Sequence, residues 1–189
     1  MPDLVQFQAK RCFTATAFLI HQERILLVKH KKLNIWLAPG GHVEIDELPH
    51  VTAERECFEE TGLTVRAVSA APLLTGTTSQ YLPSPFVTNL HWISKENYHA
   101  RLESSDVHKR VHTDLWPNGC EQHLVFCYLV QPTGSLKLTQ DHSETTGIGW
   151  FTLAQIASLD TSADIKAELR LSLSLSSTPG VAESSHPGT

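Results

Sequence analysis

Apolar residues fall in short stretches bounded by turn-forming residues, and their spacing sets the expected elements. Phe13 to Ile20 (FTATAFLI) is rich in β-branched and aromatic residues and predicts a strand. His21-Gln22-Glu23 is a polar turn, after which Arg24 to His30 (RILLVKH) returns as a hairpin partner. Trp36-Leu37-Ala38 is a brief apolar stretch that stops at Pro39-Gly40-Gly41, a tight loop where backbone must approach something closely. Further strands are expected over Leu63–Ala70, Phe86–Ile93, His123–Val130 and Gly147–Phe151, with Pro72–Tyr81 a loop or short strand.

Helical signals lie between them. Pro49 suits a first helical turn and Gly62 suits the position that ends a helix, which brackets HVTAERECFEET. Leu48 stands where a capping Ser, Thr or Asp would be expected, so Asp46 and Glu47 are the groups available to offset the helix start. Thr152–Leu159 and Ala163–Leu173 are enriched in helix formers. Lys95–Gly119 is polar and weakly periodic and reads as an insertion or long loop. From Ser174 the chain is Ser-, Pro- and Gly-rich and cannot bury enough apolar surface to order itself. The expected organisation is one α/β domain over residues 1–173 and a disordered tail over 174–189. A mixed sheet with helices on both faces fits the interleaved order of the elements.

Composition narrows the function. The chain has 189 residues, 41% hydrophobic and 19% charged, with net charge −5 and a pI near 6.1. Such a balance offers no general attraction to a nucleic-acid polymer or an anionic membrane. A small polyanionic substrate would need a local device to hold it. The four cysteines (Cys12, Cys57, Cys120, Cys127) show no C-x-x-C spacing and read as reduced thiols of a cytoplasmic protein. Met1–Lys10 lacks the apolar core of a signal peptide, and no apolar run is long enough to span a membrane. His108 and His112 share an i, i+4 spacing, but there is no H-E-x-x-H, and the histidines read as scattered packing or surface groups.

One segment carries chemistry. Glu56, Glu59 and Glu60 are spaced i, i+3 and i+4, which puts them on one face of the helix. Like charges at that spacing cost ~0.2–0.5 kcal/mol per pair, and anions in a last turn oppose the macrodipole by ~0.3–1 kcal/mol. A solvated acidic face is the plain alternative. A divalent cation would reverse both penalties, because it needs several hard oxygen ligands at close range. It could polarise a phosphoryl group while a free carboxylate takes the proton of an attacking water.

The ordered context of these residues, GHVEIDELPHVTAERECFEETGL from Gly41 to Leu63, resembles the Nudix box, G-x5-E-x7-R-E-U-x-E-E-x-G-U. Gly41, Glu47, Arg55-Glu56, Glu59-Glu60, Gly62 and Leu63 match, and Cys57 fills the first bulky position. The flanking pattern extends the likeness over roughly Phe13 to Leu159. The resemblance implies an α/β/α sandwich with a mixed sheet. It also implies magnesium-dependent hydrolysis, with manganese as a possible substitute, of a diphosphate linkage joining a nucleoside diphosphate to another group. It assigns the metal to Glu56, Glu59 and Glu60 with the Gly40 carbonyl assisting. Arg55 would pair with Glu47 and hold the box together, with Gly41 and Gly62 as structural glycines. A further acid outside the box is expected, as ligand or base, and Glu144 is the choice over Asp114, Glu121 and Asp141. His42, inside the box, could contact phosphate, and Tyr81 lies where some family members stack a base. The alternative is a nucleotide-binding module that has kept the fold without turnover; the intact box and the lack of a recognisable DNA-binding segment argue against it.

Overall fold

The computed structural model describes residues 8–69, 73–104, 106 and 119–176. Two long strands form its centre, β1 (Arg11–His21) and β7 (Gln122–Pro132), which pair in parallel from Arg11↔Gln122 to Leu19↔Val130. β2 (Arg24–His30) returns antiparallel to β1 through a turn in which Gln22 and Glu23 both take positive φ, 49° and 58°. That left-handed pair matches the twist of a two-residue hairpin even without glycine. β3 (Trp36–Leu37) and β8 (Thr145–Thr152) pair with β2, β4 (Gly40–His42) with β1, and β5 (Val65–Val68) and β6 (Val87–Trp92) with β7, all antiparallel. The sheet is therefore mixed, as the interleaved pattern predicts.

Helices cover both faces. In β2, Ile25, Leu26, Leu27 and Val28 are all fully buried, yet successive side chains point oppositely. Leu26 joins Ala15, Ala17, Leu19, Tyr128 and Val130 under Ala53 and Cys57 of α1 (Pro49–Thr61). Ile25 and Leu27 join Phe18, Val125, Cys127 and Leu129 under Ile156 of α3 (Leu153–Ser158) and Leu169 and Leu173 of α4 (Ala163–Ser176). No helix among the described residues is long and apolar enough to cross a membrane.

Four expectations need correction. The segment read as an insertion opens with a helix, α2 (Lys95–Glu103), whose N-cap Ser94 accepts a hydrogen bond from the Asn97 N–H. Most of the segment beyond that helix, including His108, His112 and Asp114, lies outside the described residues. α4 continues to Ser176, past the expected start of the tail, and residues 177–189 lie outside the described residues. Asp46 and Glu47 do not cap α1: Leu48 is its N-cap without a side-chain bond, and Glu47 turns to Thr52 and Arg55. Not all the cysteines are thiols, because Cys12 and Cys120 form a disulfide that ties the start of β1 to the approach of β7. Cys57 and Cys127 are free and buried, and burial pushes the Cys57 thiol up to about 11.

α2 is anchored through charge. Arg101 and Glu121 have side chains only 1% and 2% exposed and meet through two N–H···O bonds of 2.9 Å. Glu121 also accepts from the Lys10 backbone N–H at 2.8 Å. Removing one partner would leave a buried charge uncompensated. Arg101→Leu is expected to cost about 3–5 kcal/mol, and Arg101→Leu with Glu121→Leu markedly less, by urea denaturation. Equal losses in both variants would mean that packing, not the charge, sets the cost.

Candidate active site

The site begins with two glycines, one pressed against backbone and the other against the Glu56 carboxylate. A Cβ on Gly40 would sit 2.5 Å from the Ala15 carbonyl oxygen and 2.9 Å from Thr16 Cα. A Cβ on Gly41 would sit 2.2 Å from Glu56 Oε1. β4 is thereby pressed between β1 and the acidic face of α1. The helix ends at Gly62, whose φ of 74° is the left-handed cap that glycine adopts without strain, and its N–H bonds the Phe58 carbonyl at 2.7 Å.

The three box glutamates occupy different environments on this short helix. Glu59 is open, with a side chain 52% exposed. Glu56 is buried at 8% exposure, and Glu60 lies deeper at 1%, where Oε2 accepts the Gly40 N–H at 3.1 Å. Burial, opposed by Arg55, raises the Glu56 carboxyl above the ordinary range. Burial, with the nearby charges of Glu56, Glu144 and Asp141, pushes Glu60 up to about 8.

Arg55 is the hub of the cluster. Its Nε and Nη2 reach Glu47 at 2.9 and 3.0 Å, and its Nη1 reaches Glu56 Oε1 at 2.8 Å and Glu59 Oε2 at 2.7 Å. Nη2 also donates to the His42 carbonyl at 3.1 Å. The guanidinium beside Glu47 holds that carboxyl down at about 2, and the acids in turn raise Arg55. One cation thus balances three anions, an arrangement short of positive charge.

An open cleft of about 1270 Å³ faces this cluster. Glu56, Glu59 and Arg55 line it, as do Gly40, Gly41 and His42. Glu144 lines it from the turn before β8, where its carbonyl accepts the Lys31 N–H at 2.8 Å. Glu144 and the box glutamates are therefore brought together, while Glu60 packs behind the cleft wall. The described rivals have partners of their own. Glu121 is consumed by Arg101, and half-buried Asp141 accepts from the Ser143 N–H and hydroxyl. Tyr81 is exposed and does not line the cleft.

Several cleft residues escape the sequence pattern. Lys31 and Lys32 line it as cations, with the run HKK as their signal. Cys120 and His123 also line it, and the His123 ring meets those of His42 and His91 edge-to-face, at 4.9 and 5.7 Å between centroids. These histidines come from β4, β6 and β7, so no local spacing announces them.

A family model described as NUDIX domain matches residues 10–106, just over half of the chain. The chain belongs to the NUDIX family. A NUDIX relative from Danio rerio, the m7GpppN-mRNA hydrolase NUDT17, is 32% identical over 88 residues, 47% of this chain and 29% of that protein. The match thus spans less than a third of that relative's length. Among solved NUDIX structures, a hydrolase from Clostridium perfringens superposes with a TM-score of 0.60 at 24% identity, covering 87% of this chain and 97% of that one. An ADP-ribose pyrophosphatase from Streptococcus suis 89-1591 gives 0.54 at 20% identity, covering 89% and 93%. At such identities these likenesses establish the NUDIX fold: a mixed sheet between helices.

Proposed function

We propose that the protein is a pyrophosphatase-type hydrolase that cuts a diphosphate linkage joining a nucleoside diphosphate to another group. The observation that carries this reading is the crowding of Glu56 and Glu59 around a single arginine at the wall of an open cleft, with Glu60 buried just behind it. The donor set fits a hard divalent cation, magnesium with manganese as substitute: carboxylate oxygens of Glu56, Glu59 and Glu60 would hold it, with the Gly40 carbonyl as the backbone ligand that the family resemblance implies. When bound, such an ion supplies a Lewis acid for phosphate oxygens.

The chain's own residues do the rest. Arg55 and Glu47 hold the helix and loop in register. Lys31 and Lys32 offer charge to the phosphates from the cleft wall. Glu144, or a box glutamate free of the cation, takes the proton from the water that attacks phosphorus. The diphosphate bond then breaks and the leaving phosphate departs with the displaced electron pair.

A screen of nucleotide sugars, dinucleoside polyphosphates, NAD-type cofactors and oxidised nucleoside triphosphates tests the proposal. At least one class is expected to be cleaved between its phosphates in magnesium, and a chelator is expected to stop it. Tight nucleotide binding by calorimetry without turnover of any class would replace the enzyme with a binding module.

A further inference from the structure

Three ligating side chains from three separate places in the chain meet beside the cleft. They are Cys12 on β1, His42 at the end of β4 and Cys120 just ahead of β7. A sulfur or ring nitrogen of each lies within 4.8 Å of the other two. In the oxidised chain the two sulfurs are bonded to one another. A disulfide has little use for an imidazole, yet His42 Nε2 stands 3.5 Å from Cys120 Sγ. A thiolate at about 2.3 Å and an imidazole nitrogen at about 2.0–2.1 Å from a tetrahedral zinc are about 3.5 Å apart. His42 already holds that edge.

A second imidazole adjoins the group. His123 is the register partner of Cys12 across the parallel β1–β7 pair, and its ring centroid is 4.9 Å from that of His42. Its Nε2 is buried with no hydrogen-bond partner. The Cα atoms of Cys12 and Cys120 are 5.8 Å apart, so once the bond is broken side-chain rotation can separate the sulfurs to a chelating distance without moving the strands.

We propose that the dithiol form of the chain holds a zinc-class transition metal on Cys12, Cys120 and His42, with His123 at the fourth position. The site opens when a dithiol reductant passes two electrons and two protons to the Cys12–Cys120 bond and leaves as its own disulfide. Metal binding then releases the two thiol protons. Sulfur and imidazole ligands select zinc or cobalt over magnesium, so this site is distinct from the carboxylate cluster on the same cleft. Its occupancy follows the redox state of the surroundings.

The test uses the full chain, reduced with a phosphine and desalted without oxygen, then titrated with cobalt and zinc. One cobalt per chain is expected, with a thiolate-to-cobalt absorption band that carboxylate-bound cobalt does not produce. Zinc should abolish the band stoichiometrically. Cys120→Ser should remove it, His42→Asn should weaken binding at least tenfold, and the oxidised chain should lack it. A reduced chain with no more thiolate–cobalt absorption than a folded Cys12→Ser/Cys120→Ser variant overturns the proposal. So does a bridge that resists reduction in the folded state. If the serine variants fail to fold, X-ray absorption of the zinc-loaded wild type decides: two sulfurs at zinc support the site, and a shell without sulfur overturns it.

Discussion

Glu60→Gln is expected to lower kcat at least about 10²-fold while making the metal-free protein more stable at pH 8. The first half follows from removing one of the proposed ligands, since a well-placed cation contributes several kcal/mol to a phosphoryl transition state. The second follows from burial. Glu60 is 1% exposed and its carboxyl is pushed up to about 8 from 4.5. Between those values the folded chain holds a proton that the unfolded chain has released. Its contribution to stability is therefore complete below about pH 4.5 and fades as pH rises through 8, by on the order of a few kcal/mol. Glutamine carries no proton to lose, and its amide oxygen can still accept the Gly40 N–H. Urea denaturation in chelator at pH 5 and pH 8 should show wild type losing more stability than the variant, in which the other titrating groups are unchanged. Magnesium should restore more stability to wild type at pH 8 than to the variant, which keeps only Glu56 and Glu59 as carboxylate ligands. A kcat within about threefold of wild type would reduce Glu60 to a buried prop. Equal pH slopes would remove its titration from the account.

Legibility from sequence tracks how local the cause is. β2 is read to the residue, because four consecutive buried apolar side chains serve both faces of the sheet and leave an unbroken run. α1 is read because Pro49 and Gly62 act at its ends through backbone geometry alone. α2 hides because its buried residues are Asn97 and Arg101, so no apolar stripe marks its inner face. The end of α4 hides because LSLSLS alternates with the period of a strand. There the serine hydroxyls find partners within the helix itself, at carbonyls three residues back, Ser172 to Leu169 and Ser176 to Leu173, each at 2.9 Å. At the site, the glutamate spacing is local and legible. The Cys12–Cys120 bridge spans 108 residues, and spacing alone cannot assign a pairing. The partners of His42 depend on which strands lie side by side, a property of topology.

Arg55→Ala should be the most destabilising change among the box residues that face the cleft. The guanidinium touches Glu47, Glu56 and Glu59 at 2.7 to 3.0 Å and the His42 carbonyl at 3.1 Å, with its own side chain 24% exposed. Its loss strands three acids, of which the Glu47 and Glu56 side chains are 12% and 11% exposed. Breaking a fully buried pair costs about 3–5 kcal/mol, and partial access to water reduces the expectation here to roughly 2–3 kcal/mol. Arg55→Lys should recover little, because one ammonium cannot span the directions that the planar fork covers. The response to magnesium separates electrostatics from packing. Arg55 uses one oxygen of Glu56 and one of Glu59, and the other oxygen of each has no protein hydrogen-bond partner among the described residues. A cation on those oxygens would supply part of the charge the variant lacks. Magnesium should therefore raise the melting temperature of Arg55→Ala more than that of wild type. Equal shifts would mean that Arg55 and the metal do not share these carboxylates, and a loss below about 0.5 kcal/mol would mean that the fork is incidental to the fold.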